Sequence, residues 1–213
     1  TWLEQLQLKP REWINPIEDF EAISLNEFER YRLLKGRLES FQESLSTPQI
    51  HNINHYKDGE WEYNQNGKGI LPPKSAASIE AAILECRWQN LQSTLWSLGK
   101  CENRLLELNN EPHELIWAGE NFVVIEIGKL RARAVMKGWL THLLLCANNK
   151  APNSSVVIAR KSTKEKSQEY EVALKWNKVS VSVAKLHLNN IQSIANEGIK
   201  ECWPIPPESG WAL

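Results

Sequence analysis

Apolar side chains recur every three or four residues at Phe28, Tyr31, Leu34, Leu38 and Phe41, the period that puts one stripe on one side of a helix. Ser24 and Glu27 stand three residues apart at the head of this stripe, the spacing of a capping box, so the pattern predicts a helix over residues 24–42. Upstream, Pro10 and Pro16 break residues 2–20 into short pieces, with a helical turn or two around Trp2, Leu3 and Leu6. A second helix is predicted over Ile79–Leu98 from Ile79, Ile83, Cys86, Leu91, Leu95 and Leu98, with Ser78 as its cap and Gly99 after its end. Between the two helices the chain is rich in Asn, Gly, Pro, His and Lys. Trp61 and Tyr63 alternate there with Glu60, Glu62 and Asn64, flanked by Asp58-Gly59 and Asn66-Gly67, which reads as a short hairpin or a mobile loop. Pro72-Pro73 ends it stiffly.

The period changes in the second half. Glu114–Trp117 and Phe122–Ile127 read as strands about a Gly119 turn. Val135, Trp139, Leu140, Leu143 and Leu144 restore helical spacing over residues 131–147, which makes Trp139 a core residue. Ser155–Ala159 and Tyr170–Trp176 read as a strand pair joined by the charged loop Lys161–Glu169. A last helix is predicted over Ser182–Asn196, ending at Gly198 before a proline-rich tail. The order of helices, strands, helix, strands and helix predicts an α/β class, with α+β as the variant, in which helices pack on a sheet.

With 213 residues, 42% of them apolar, the chain can bury a sizeable core. The longest apolar run, Leu143–Ala147, is far short of the roughly 18 residues of a membrane span, so a soluble protein with no membrane partner is expected. Thr1 at the start and Met136 as the sole methionine read as a piece of something longer. Cys86, Cys101, Cys146 and Cys202 lie far apart, which fits a reducing cytoplasm better than a zinc knuckle or redox pair. His51 and His55 have the i, i+4 spacing of helix-borne metal ligands, but the turn formers around them read as a polar loop, and no metal or other cofactor is expected. The net charge of −1 hides an asymmetry: residues 1–120 hold 12 Lys/Arg against 19 Asp/Glu, and residues 121–213 hold 13 against 7. The second half is the side that would face phosphate or an acidic partner chain.

The stretch Trp139-Leu-Thr-His-Leu-Leu-Leu-Cys-Ala147 resembles the C-terminal region of the RecC family, the gamma subunits of exodeoxyribonuclease V. The likeness continues forward through Ser155–Lys161, Asn196–Ile199 and Pro206–Trp211. It continues backward through Gly69–Pro73, Leu25–Tyr31, Pro10–Trp13 and Trp2–Gln5, with a departure at Lys74–Ala77. The resemblance implies a restriction-endonuclease-like central sheet flanked by helices and catalytically degenerate. Residues 1–48 would be a helical lead-in, 49–74 a linker or short hairpin, and 75–213 the nuclease-like domain, compact with 1–48. It further implies a cytoplasmic place in a helicase–nuclease complex of DNA repair and recombination. The partners would be RecB-like and RecD-like subunits and forked or single-stranded DNA.

Active nucleases of that fold hold Mg²⁺ with an Asp and the acid of an Asp/Glu-x-Lys strand, whose lysine steadies the attacking water. This sequence has no Asp/Glu-x-Lys, and its only aspartates are Asp19 and Asp58. The nearest substitute, Glu126 and Lys129, is spaced by three and points to opposite faces of a regular strand; a bulge at Gly128 would bring the two together. A nucleotide-binding G-x-x-x-x-G-K-[ST] loop and a G-x-S-x-G nucleophile are also absent. The reading is therefore a non-enzymatic scaffold and DNA-guiding domain within an ATP-dependent exodeoxyribonuclease, with no catalytic residue of its own. The alternatives are a Mg²⁺-dependent nuclease with a Glu-based centre and a pure protein-interaction domain. Candidate DNA contacts are Lys129, Arg131, Arg133, Lys137, Arg160, Lys161, Lys164 and Lys166 for phosphates, and Trp61 and Tyr63 for bases.

Overall fold

A computed structural model describes residues 24–46, 60–73, 75–161 and 168–200. The elements in chain order are helices α1 (Glu27–Ser46), α2 (Glu60–Gly67) and α3 (Ser75–Ser97), strands β1 (Cys101–Leu108), β2 (Glu111–Ala118) and β3 (Asn121–Lys129), helix α4 (Ala132–Ala147), strands β4 (Ser154–Arg160) and β5 (Tyr170–Asn177), and helix α5 (Val181–Lys200). The five strands lie in sequence order in one mixed sheet. β3 and β4 are parallel and the other neighbours antiparallel. A parallel pair needs a long crossover, which α4 supplies. Helices on both faces make the class α/β, as the alternation of elements predicts.

One face of the sheet packs Val123, Ile127, Val156 and Ile158 against Leu34, Leu38 and Phe41 of α1 and Leu84, Trp88, Leu91 and Leu95 of α3. The other packs Leu115, Trp117, Phe122, Val124 and Val157 against Ala134 and Leu145 of α4. β4 is covered on both sides and buried from Ser154 to Ala159, which is why it reads as a continuous apolar run rather than an alternating one. Each fully buried leucine in this core contributes about 1.5–3 kcal/mol.

Several elements differ from their sequence pattern. α1 starts at Glu27 because Asn26, not Ser24, is the cap: Asn26 Oδ1 accepts from Glu29 N, and Glu29 Oε2 from Asn26 N, both at 2.9 Å. This register leaves Phe28 exposed and frees the Glu27 carboxylate for long-range pairing. Residues 60–67 are helical rather than a hairpin or loop, which turns Trp61 inward and leaves Tyr63 at the surface. α3 starts at Ser75, so Ser78 lies within it, and its inward face is Ala77, Glu80, Ala81, Leu84, Arg87, Trp88 and Leu91 while Ile79 is 63% exposed. α5 runs through Gly198 instead of ending there. β1 escapes the hydrophobic pattern because only its two ends, Cys101 and Leu108, are buried. Trp139 is half-buried, stacked on His142 and near Trp176 and His187.

Candidate nucleic-acid interface

β2 and β3 leave the Gly119 turn paired at two positions only, Trp117 with Phe122 and Ala118 with Asn121. Beyond them the strands part, and a groove of about 1050 Å³ opens between Glu114–Ile116 and Phe122–Glu126. Helix α1 walls the groove on one face of the sheet through Tyr31, Lys35, Glu39 and Glu43. The start of α4 walls it on the other through Arg131, Arg133 and Lys137.

Helix α1 is fastened at both ends across this opening. At its first turn, Glu27 accepts from Arg160 Nη1 at the end of β4 at 2.7 Å and from Arg87 Nη2 of α3 at 2.8 Å, and pairs with Arg30 at 2.9 Å. Arg30 also forms a bidentate bond to Glu80, at 2.7 and 2.8 Å. Arg87 is additionally bonded to Gln168. The Arg87 guanidinium, with Arg160 and Arg30, holds the Glu27 carboxyl at about 2 against the opposing effect of burial. At the far end of α1, Ser46 Oγ donates to Glu114 Oε1 of β2 at 2.7 Å, and Asn103 Nδ2 of β1 donates to the same oxygen at 2.6 Å.

The nominated contacts divide into those the fold gathers and those it uses elsewhere. Arg131, Arg133 and Lys137 line one groove wall, and the Arg131 guanidinium lies 5.9 Å from the centre of the Tyr31 ring, so the two walls meet at that end. Lys129 is exposed at the end of β3. Arg160 is turned into the Glu27 network, and Lys161 pairs with Glu169 at 3.2 Å. Trp61 is buried with Arg37 over its ring, whereas Tyr63 is 78% exposed. Lys164, Lys166, His51 and His55 lie outside the described residues.

β3 is irregular around Gly128: its pairing with β4 runs to Ile125 and resumes at Lys129. Within this stretch Glu126 bends back, and its Oε1 accepts from Gly128 N at 3.1 Å. Among the described residues, no three His, Cys, Asp or Glu side chains are grouped to hold a metal ion. Sequence reasoning missed Glu27, Glu80 and Arg87. The signal available was two opposite charges seven residues apart on the inward face of α3, since charge is tolerated in such positions only when paired.

The family model described as the RecC C-terminal domain matches residues 1–213. No curated protein matches the chain.

Proposed function

The chain belongs to the RecC C-terminal domain family, and from that premise we propose that it is a non-catalytic scaffold and DNA-guiding domain of a RecBCD-type helicase–nuclease complex, acting in double-strand break repair. The observation that carries the reading is the state of the two strand-borne carboxylates of the groove lining, Glu114 of β2 and Glu126 of β3. Glu126 is bonded to its own strand at Gly128, and Glu114 is bonded to Ser46 and Asn103. Each has an acceptor oxygen committed to holding the fold, whereas a metal-assisted hydrolysis needs such oxygens directed together at one cation. The opposite groove wall is basic. Lys129, Arg131, Arg133 and Lys137 fall within nine residues, a density of cations suited to a phosphate backbone. The lead-in and the sheet act as one unit in this reading, because α1 is bonded to α3, β4, β1 and β2.

A fork-DNA titration with the complete chain tests this. Affinity is expected to fall steeply as salt rises, and Lys137→Glu is expected to weaken binding and flatten the salt slope by about one counterion. Mg²⁺-dependent loss of DNA that vanishes with Glu126→Ala would overturn the non-catalytic reading. No binding at low salt, and no crosslink to DNA in the assembled complex, would leave a protein-interaction domain.

A further inference from the structure

A surface helix ordinarily turns its apolar stripe inward and its charges to water. α3 departs from this. Its only charged residues are Glu80, Glu85 and Arg87, and all three pair with α1: Glu80 with Arg30, Glu85 with Arg37 and Arg87 with Glu27. The core takes Leu84, Trp88, Leu91 and Leu95. The outer side carries Ile79, Ala82, Cys86, Gln89, Ser93 and Trp96 at alternating spacings of three and four, all exposed. The polar groups among them are partly spent within the helix, since Gln89 Nε2 donates to Glu85 and Cys86 Sγ accepts from Asn90 Nδ2. From Ile79 to Trp96 this side runs about 25 Å without a charge, in a chain of which 24% is charged. Loss of charge with retention of an aromatic residue is the composition of an interface centre, not of a solvated face.

Charge and shape select the occupant. DNA is held through cations at its phosphates, and this side of α3 has none. A charged segment of a protein would be stripped of water here and meet no counter-charge. An extended segment would bring unpaired backbone amides and carbonyls onto side chains that offer no ladder, whereas a helix satisfies its own. The profile is large at the ends, Ile79 and Trp96, and small between them at Ala82, Cys86 and Ser93. A second copy related by a two-fold axis would set Ile79 against Trp96, Ala82 against Ser93 and Cys86 against Gln89. Its large ends would hold the helices apart over an unfilled middle, which close packing disfavours. We propose that the outer side of α3 docks a helix of a partner subunit whose facing side is uncharged and carries bulky apolar residues at its middle, seated over Ala82, Cys86 and Ser93. The inference rests on the scaffold reading and states which face holds a partner and what chemistry that partner presents.

The test compares the complete chain alone with the assembled complex. Cys86 is exposed while Cys101 and Cys146 are buried, so in a Cys202→Ser background maleimide labelling reports on Cys86. Labelling is expected to be about tenfold or more slower in the complex than in the chain alone. Ala82→Glu and Ser93→Glu place a charge at the middle of the face; each is expected to leave the urea midpoint of the chain unchanged and to weaken assembly by about tenfold or more. Photo-crosslinkers in place of Ile79 and Gln89, about 15 Å apart along α3, are expected to reach uncharged partner residues with the same helical separation. Equal labelling of Cys86 in the chain and the complex overturns the proposal, as does undiminished assembly of both Glu variants. Slowing in the chain alone as its concentration rises assigns the face to a second copy, and slowing only on addition of fork DNA assigns it to nucleic acid; either result overturns the proposal, and so do crosslinks to a charged or extended segment. Failure of the scaffold reading shows separately, as Mg²⁺-dependent digestion or loss of the DNA salt slope, neither of which Cys86 labelling reports.

Discussion

Glu27 and Arg160 stand 133 residues apart in the chain and share a hydrogen-bonded ion pair of 2.7 Å. The pair joins the first turn of α1 to the end of a fully covered strand, and Arg87 of α3 closes the same carboxylate from a third element. Three parts of the molecule are thus locked by one side chain. A cation that sequence alone offers to DNA is, in the fold, a fastening.

The network carries a stability expectation. Glu80 is 3% exposed and holds the half-buried Arg30 through two bonds, so Glu80→Ala leaves that guanidinium short of two acceptors and should cost about 1–3 kcal/mol. Lys35 and Glu39 form an exposed i, i+4 pair at 3.6 Å, and Lys35→Ala should change stability by less than about 0.5 kcal/mol. Urea unfolding of both variants checks the contrast.

Acid should loosen the same region. Glu27 is held at about 2, against an ordinary value of 4.5, chiefly by Arg87 and then by Arg160 and Arg30. Its folded pKa lies below the unfolded one, so the unfolded chain binds the extra proton. Its stabilisation is complete above about 4.5 and is lost as pH falls toward 2. Glu27→Gln should lower stability at neutral pH and flatten the acid limb in that window, measured as the denaturation midpoint against pH.

What the sequence made legible follows from where burial is continuous. β4 and the stripe of α4 are covered by neighbours along their length, so their apolar residues announce strand and helix. β1 lies at the sheet edge with two buried residues, and its charged middle carries no period. Trp61 and Tyr63 mimic strand alternation in a helix short enough that one buried ring fixes its orientation. The basic wall at Arg131, Arg133 and Lys137 was readable because it is local. The groove itself was not, since it arises where β2 and β3 stop pairing, and no residue pattern marks that point. The pairing of Arg160 was hidden for the same reason: its partner Glu27 lies 133 positions earlier.

Two glycines should respond in opposite directions to alanine. Gly99 has φ +130°, and a Cβ there would lie 2.8 Å from both Cα and N of Gly119, backbone atoms of the turn that begins β3. Gly99→Ala combines backbone strain with a clash and should cost about 2–3 kcal/mol. Gly36 sits within α1 with open space around it, so Gly36→Ala should stabilise by about 0.5–1 kcal/mol. Thermal midpoints of the two variants test both signs.

His142 should give the fold a second pH dependence, nearer neutrality. Its ring is fully buried, with Nδ1 2.8 Å from Ser155 Oγ and Trp139 stacked on it at 5.5 Å. Burial pushes its pKa below 6.5, only partly offset by a hydrogen bond from the ring to the Asn177 backbone. The folded chain keeps the ring neutral while the unfolded chain takes a proton, so this contribution is complete above about 6.5 and declines as pH falls below it. Replacing both partners, as His142→Leu with Ser155→Ala, removes the titrating ring without stranding the hydroxyl. The wild-type chain should lose stability between about pH 7.5 and about pH 5.5, and the double variant should lose less over the same span. Equal losses, read from urea midpoints, would show that the ring takes up its proton as readily in the fold as in the unfolded chain.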